Sequence, residues 1–133
     1  MDTVTVDGRA AGQLLAEKEL LAESVTRALY DEMPELTARY GPVGREKCLQ
    51  DLRFTIEHLI PAVDLGQPGM FASYVQWLDE LLRARHVSTR EVVRSLELTE
   101  RLVRERFGAD EAETIARCIH AGLERLPDGR ESR

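Results

Sequence analysis

A chain of 133 residues with 43% apolar and 32% charged residues suits one domain whose core needs no crosslinks. Its formal net charge of −6 argues against a general phosphate-backbone binder, so no nucleic-acid partner is expected. Two cysteines make no disulfide framework, no apolar run reaches membrane-spanning length, and MDTVTVDGRA lacks the regions of a signal peptide. A cytoplasmic, membrane-free protein is the expectation, with Cys48 and Cys118 as buried, unlinked thiols.

Residues 1–9 and 127–133 show no hydrophobic period and are expected as flexible tails around a single helical-bundle domain, 10–126. The first helix is predicted from about Ala10 to Glu32, with Leu14, Leu21, Val25, Ala28 and Leu29 on one stripe. Pro34 opens a short helical piece to Tyr40, ended by Gly41 and Pro42. The next helix, about Gly44 to Leu65, carries Leu49, Leu52, Ile56, Leu59 and Val63 at alternating steps of three and four, with a bend expected at Pro61.

After the turn GQPG, the helix from Met70 to Arg85 has two apolar stripes, Phe71/Val75/Leu78/Leu82 and Met70/Tyr74/Trp77/Leu81. Burial on both sides would make it the central helix. Ser88 and Glu91 then spell a capping box, and Val87 with Val92 supplies its hydrophobic staple. The helix from Thr89 to Phe107 presents Val92, Leu96, Thr99 and Val103, flanked by Val93 and Leu102. Asp110 is expected to cap a last helix with Ala112, Ile115, Ala116, Ile119, Leu123 and Leu126 inward. No strand pattern occurs. The expected fold is an all-α bundle of five to six helices with a four-helix core.

Seven arginines between Arg83 and Arg106 alternate with glutamates, and Glu97/Arg101 and Glu100/Arg104 stand at i,i+4. A solvated, ion-paired face follows from that spacing. The residue three before each histidine is Thr55, Arg83 or Arg117, so the Glu-x-x-His of di-metal bundles is absent. No phosphate loop, zinc-protease or nucleophile-elbow motif is present, and neighbouring carboxylates such as Asp79/Glu80 diverge around a helix. A non-enzymatic protein is expected.

His86 falls at a helix C-terminus, where a cation is favoured, and His120 lies near the inward stripe of the last helix. His58 stands apart, in a polar stripe with Asp51 and Thr55 and beside Phe54. Phe54, Met70, Phe71, Tyr74 and Trp77 would converge with it if their two helices pack across GQPG. Such a cluster builds either ordinary core or the wall of an apolar ligand pocket with one imidazole at its edge.

The strings ARYGPVGREKCLQDLRFTIEHLIPAV (38–63) and FASYVQWLDELLRARHVSTREVVRSLELT (71–99) resemble the helical-bundle module that precedes cobalamin-binding domains in bacterial sensory and regulatory proteins. The likeness spans roughly residues 20–107 and rests on the ARYG turn, the GREKC helix start, F-x-x-Y-V-x-W and the short link before a capped helix. It implies a sensory or regulatory module in which Trp77 approaches a corrinoid, while the aromatic pocket with the His58 imidazole at its edge would also suit another tetrapyrrole such as haem or bilin. The family's Glu-His pair after the tryptophan is not here; Glu57-His58 lies on the preceding helix. Expected partners are another protein or a second copy, and the alternative is a ligand-free interaction or oligomerisation bundle.

Overall fold

The computed structural model describes residues 4–126, which form five helices and no strand. In chain order these are α1 (Val6–Glu32), α2 (Glu35–Asp64), α3 (Pro68–Ala84), α4 (Thr89–Arg106) and α5 (Ala109–Leu123). The all-α expectation holds, with 87% of the described residues helical. Period becomes packing along α2, where Leu52, Ile56, Leu59 and Val63 are buried and Leu49 is half-buried. Leu14, Leu21, Val25 and Leu29 do the same on α1, as do Val92, Leu96, Thr99 and Val103 on α4. None of these helices is apolar all round, so each is stable only through the neighbour that covers its stripe.

The first helix begins at Val6, four residues before the expected start. Thr5 caps it, its hydroxyl accepting from Gly8 N at 2.9 Å. Asp7 accepts from the Thr114 hydroxyl at 2.5 Å and Arg9 pairs with Glu111 at 3.0 Å, so α5 holds this turn in place. Residues 1–3 and the expected tail 127–133 lie outside the described chain.

Two expected pieces merge in α2 around a sharp break at Gly41 (φ 68°, ψ −170°). That backbone region is open to glycine alone, and the following Pro42 favours the same extended ψ. Pro61, where a bend is expected, keeps helical dihedrals. It stands one turn from the helix end, where the missing donor costs a single hydrogen bond.

The central helix is α5 rather than α3. It touches all four others. Its buried set includes Ala112, Thr114, Ala116, Cys118 and Gly122, small residues that admit close neighbours on several sides. On α3 the Phe71/Val75/Leu78/Leu82 stripe is buried, but Met70 and Trp77 of the second stripe are exposed. All five helices contribute to the core, where four were expected to build it.

The link between α3 and α4 is fixed by local chemistry. His86 takes a left-handed φ of 68°, Val87 N reaches Leu82 O at 2.9 Å and His86 N reaches Arg83 O at 3.0 Å, the Schellman pattern. Ser88 and Glu91 form the predicted capping box. Buried Asp79 accepts from the Thr89 hydroxyl at 2.8 Å and from Arg83 at 3.1 Å, tying the two helices together. Asp110 lies in the first turn of α5, whose N-cap is Gly108.

Of the two expected i,i+4 pairs, Glu100–Arg104 forms at 2.9 Å, whereas Arg101 turns to Glu105 and Glu97 to Arg94. Arg94 and Arg106 also cross to Glu32 and Glu17 of α1, so the arginine face clamps helices together as well as facing solvent. Among the described residues no helix is long and apolar enough to cross a membrane.

Candidate functional site

A cavity of about 360 Å³ opens beneath the break in α2. Its position follows from the chain. Leu36 is buried and anchors the first segment of α2, and Gly41 then turns the helix so that Tyr40 faces α4. A side chain at Gly44 would meet Tyr40 Cβ at 2.1 Å, so glycine is required for this close approach. The Tyr40 hydroxyl donates to Glu91 Oε2 at 3.3 Å, and Arg39 reaches the same oxygen at 3.5 Å. The carboxylate that caps α4 therefore also holds the short arm of α2.

Helix α1 supplies Leu29 and Tyr30 to the cavity, α2 supplies Leu52 and Thr55, α3 supplies Leu78 and Leu82, and α4 supplies Val92 and Ser95. Exposed Arg39, Val43, Lys47 and Arg85 make the rim, so the space communicates with solvent. Both staple residues, Val87 and Val92, line it too.

Charges at the cavity are unevenly satisfied. Glu91 is engaged by Ser88, Tyr40 and Arg39, whereas Lys47, Asp51 and Arg85 make no ion pair within 4 Å among the described residues. Burial raises the Asp51 carboxyl above the usual carboxylate range, opposed by the positive charges of Arg85 and Lys47. Burial also pushes the Cys48 thiol up to about 11, aided by the negative charge of Asp51 and opposed by a hydrogen bond with Thr26. Such a thiol is a poor nucleophile and a poor metal ligand near neutrality. Both cysteines are free, as expected. The Tyr30 side chain is mostly buried, which raises its phenol, but its hydroxyl, without a side-chain hydrogen-bond partner among the described residues, is not sealed from solvent.

None of the six residues singled out from the sequence lines this cavity. They form a separate strip across α2 and α3. Phe71 is fully buried at its base, with its ring centroid 5.9 Å from that of Tyr74. Tyr74 is buried and stacks on exposed His58 at 4.2 Å with the rings inclined by 12°. Trp77 lies 5.9 Å from Tyr74, and Phe54, Met70 and Trp77 are 56%, 44% and 56% exposed. Their outer sides face solvent, so they do not enclose a pocket. His58 Nδ1 lies 2.8 Å from the Phe54 carbonyl, which only accepts; that nitrogen carries the proton and leaves Nε2 outward.

Strip and cavity meet at one hydroxyl. Thr55 donates to Asp51 O at 2.8 Å, so the 3.1 Å bond from Tyr74 must be donated by the phenol, which burial raises to about 12. Of the polar stripe Asp51/Thr55/His58, the first two reach the cavity and the third remains outside. His120 is exposed and bonds Glu100 at 2.8 Å. Among the described residues no three His, Cys, Asp or Glu side chains are grouped to hold a metal ion.

Sequence reasoning missed Tyr30, Tyr40, Lys47 and Arg85. The available signal was the Tyr-Gly-Pro break at residues 40–42, because a broken helix leaves space beneath it. No family model matches the chain, and no curated protein matches it in sequence.

Proposed function

We propose that this chain is a non-catalytic sensory or regulatory module that takes a compact, largely apolar small molecule into the cavity under the α2 break. The observation that carries the reading is the cavity itself. About 360 Å³, with eight Leu and Val residues in its wall and charge at its rim, falls at the small end of the range for small-molecule sites of about 300–1,000 Å³. Tyr40, Arg39 and Glu91 all line the cavity and are bonded to one another, so occupancy is felt at the start of α4. Calorimetric titration with octanol, octanoate and octylamine tests the reading. Saturable binding of any of them, abolished by Ser95→Phe, supports it; no binding by all three defeats it.

The exposed aromatic strip favours a second reading, in which Phe54, Met70 and Trp77 dock a partner protein, a second copy or the face of a planar tetrapyrrole. The cavity is small for a corrinoid, haem or bilin, so a macrocycle would lie on the strip, near Trp77 and His58 Nε2. Titrating cobalamin, haem and biliverdin against Trp77 fluorescence separates the cases. Saturating quenching that weakens in His58→Ala supports the tetrapyrrole form, and concentration-dependent mass that falls in Trp77→Gln supports self-association.

A further inference from the structure

The cavity's rim and floor differ in a way that selects among small molecules. Resting on the cavity reading above, we propose that its ligand is a compact monocarboxylate: an apolar body among Leu29, Leu52, Leu78, Leu82 and Val92, with its acid group at Lys47 and Arg85. Size sets the first limit. A volume near 360 Å³ lies at the small end of small-molecule sites, about 300–1,000 Å³, the scale of a medium-chain or single-ring acid.

Charge sets the second. Glu91 is committed to Ser88, Tyr40 and Arg39. The remaining charges on the cavity are Lys47, Arg85 and Asp51, two cations against one carboxylate, and none is closed into an ion pair among the described residues. Lys47 stands one turn before Asp51 on α2, while Arg85 approaches from the end of α3, so the two cations come from different helices. An acid group between them gains two charge-assisted hydrogen bonds, and a neutral group gains neither. An ammonium group would meet the cationic pair first.

Tyr30 adds direction. Its hydroxyl is the one phenol on the cavity with no protein partner among the described residues, since Tyr40 is engaged by Glu91. Unpartnered yet not sealed from solvent, it can donate to a ligand oxygen in the cavity.

The test is the ratio of affinities. Octanoate is expected to bind about tenfold tighter than octanol or octylamine, and added salt should narrow that ratio because exposed rim charges are screened. Lys47→Gln and Arg85→Gln, both exposed positions, should each weaken octanoate several-fold and leave octanol unchanged. Ser95→Phe should abolish both. Equal binding of octanol and octanoate, or octanoate binding that ignores both rim variants, overturns the carboxylate assignment while the cavity reading stands. Failure of octanoate, octanol and octylamine alike overturns both.

Discussion

Cys48 and Glu91 show how much one side chain's surroundings change its chemistry. Cys48 is held protonated by burial, up to about 11, so a disulfide reagent at pH 8 should modify it far more slowly than a free thiol and rapidly after denaturation. The same raised value has a stability consequence. Folded and unfolded thiols are both protonated below about 8.5, but between there and about 11 only the unfolded chain ionises, so stability is lost as pH rises through that window. Thermal melts should therefore fall across it, and Cys48→Ala should blunt the fall. Glu91 serves a cap and an arm at once. Ser88→Ala should cost about 0.5–2 kcal/mol, the usual worth of an N-cap. Glu91→Ala should cost more than Ser88→Ala in the same melts, because Tyr40 and Arg39 lose their acceptor with it.

Breaks and covered faces matter more than helix content when elements are compared. The break in α2 depends on a backbone conformation that only glycine adopts freely, so Gly41→Ala should destabilise by about 1–3 kcal/mol in denaturant titration. A cost below a few tenths would mean the arm relaxes without strain. On α3 the two apolar stripes are predicted to behave oppositely. Phe71→Ala empties a fully buried site and should cost about 3–5 kcal/mol. Trp77→Ala, more than half exposed, should change stability by no more than about 0.5 kcal/mol. A large loss for Trp77→Ala would show that its ring covers core. Period alone assigned both stripes to the interior, because a helix pattern records apolarity and not which neighbours exist to cover it.

For the whole molecule, five stripes close on one core with α5 among the others, and polar side-chain connections tie the helices together. Asp7 and Arg9 bind α1 to α5, Arg94 and Arg106 bind α4 to α1, and Asp79 binds α3 to α4. The cavity lies where four helix ends meet, bounded by the short arm of α2. Closely packed helices leave such space only where a side chain or a backbone break keeps neighbours apart, and here Gly41 and the ring of Tyr40 do so.

The sequence by itself determined the helices, most of their buried stripes and the link between α3 and α4. These depend on residues within a turn or two of one another: Leu52, Ile56 and Leu59 by their spacing, Ser88 and Glu91 by their hydrogen-bonding reach. Boundaries slipped where the stabilising partner is distant, as at Val6, whose first turn is held by Thr114 and Glu111 more than a hundred residues away. The site was legible only in fragments. Asp51 and Thr55 stood out as a polar stripe, and Phe54, Met70, Phe71, Tyr74 and Trp77 as an aromatic one, but no local pattern tells which side of a helix encloses space. Only the tertiary structure decided that Phe54, Met70 and Trp77 of the aromatic strip face outward and that Tyr30, Tyr40, Lys47 and Arg85 surround a cavity. A stripe is a property of one helix, whereas a cavity is the volume left between four, fixed by how far their packed side chains hold them apart.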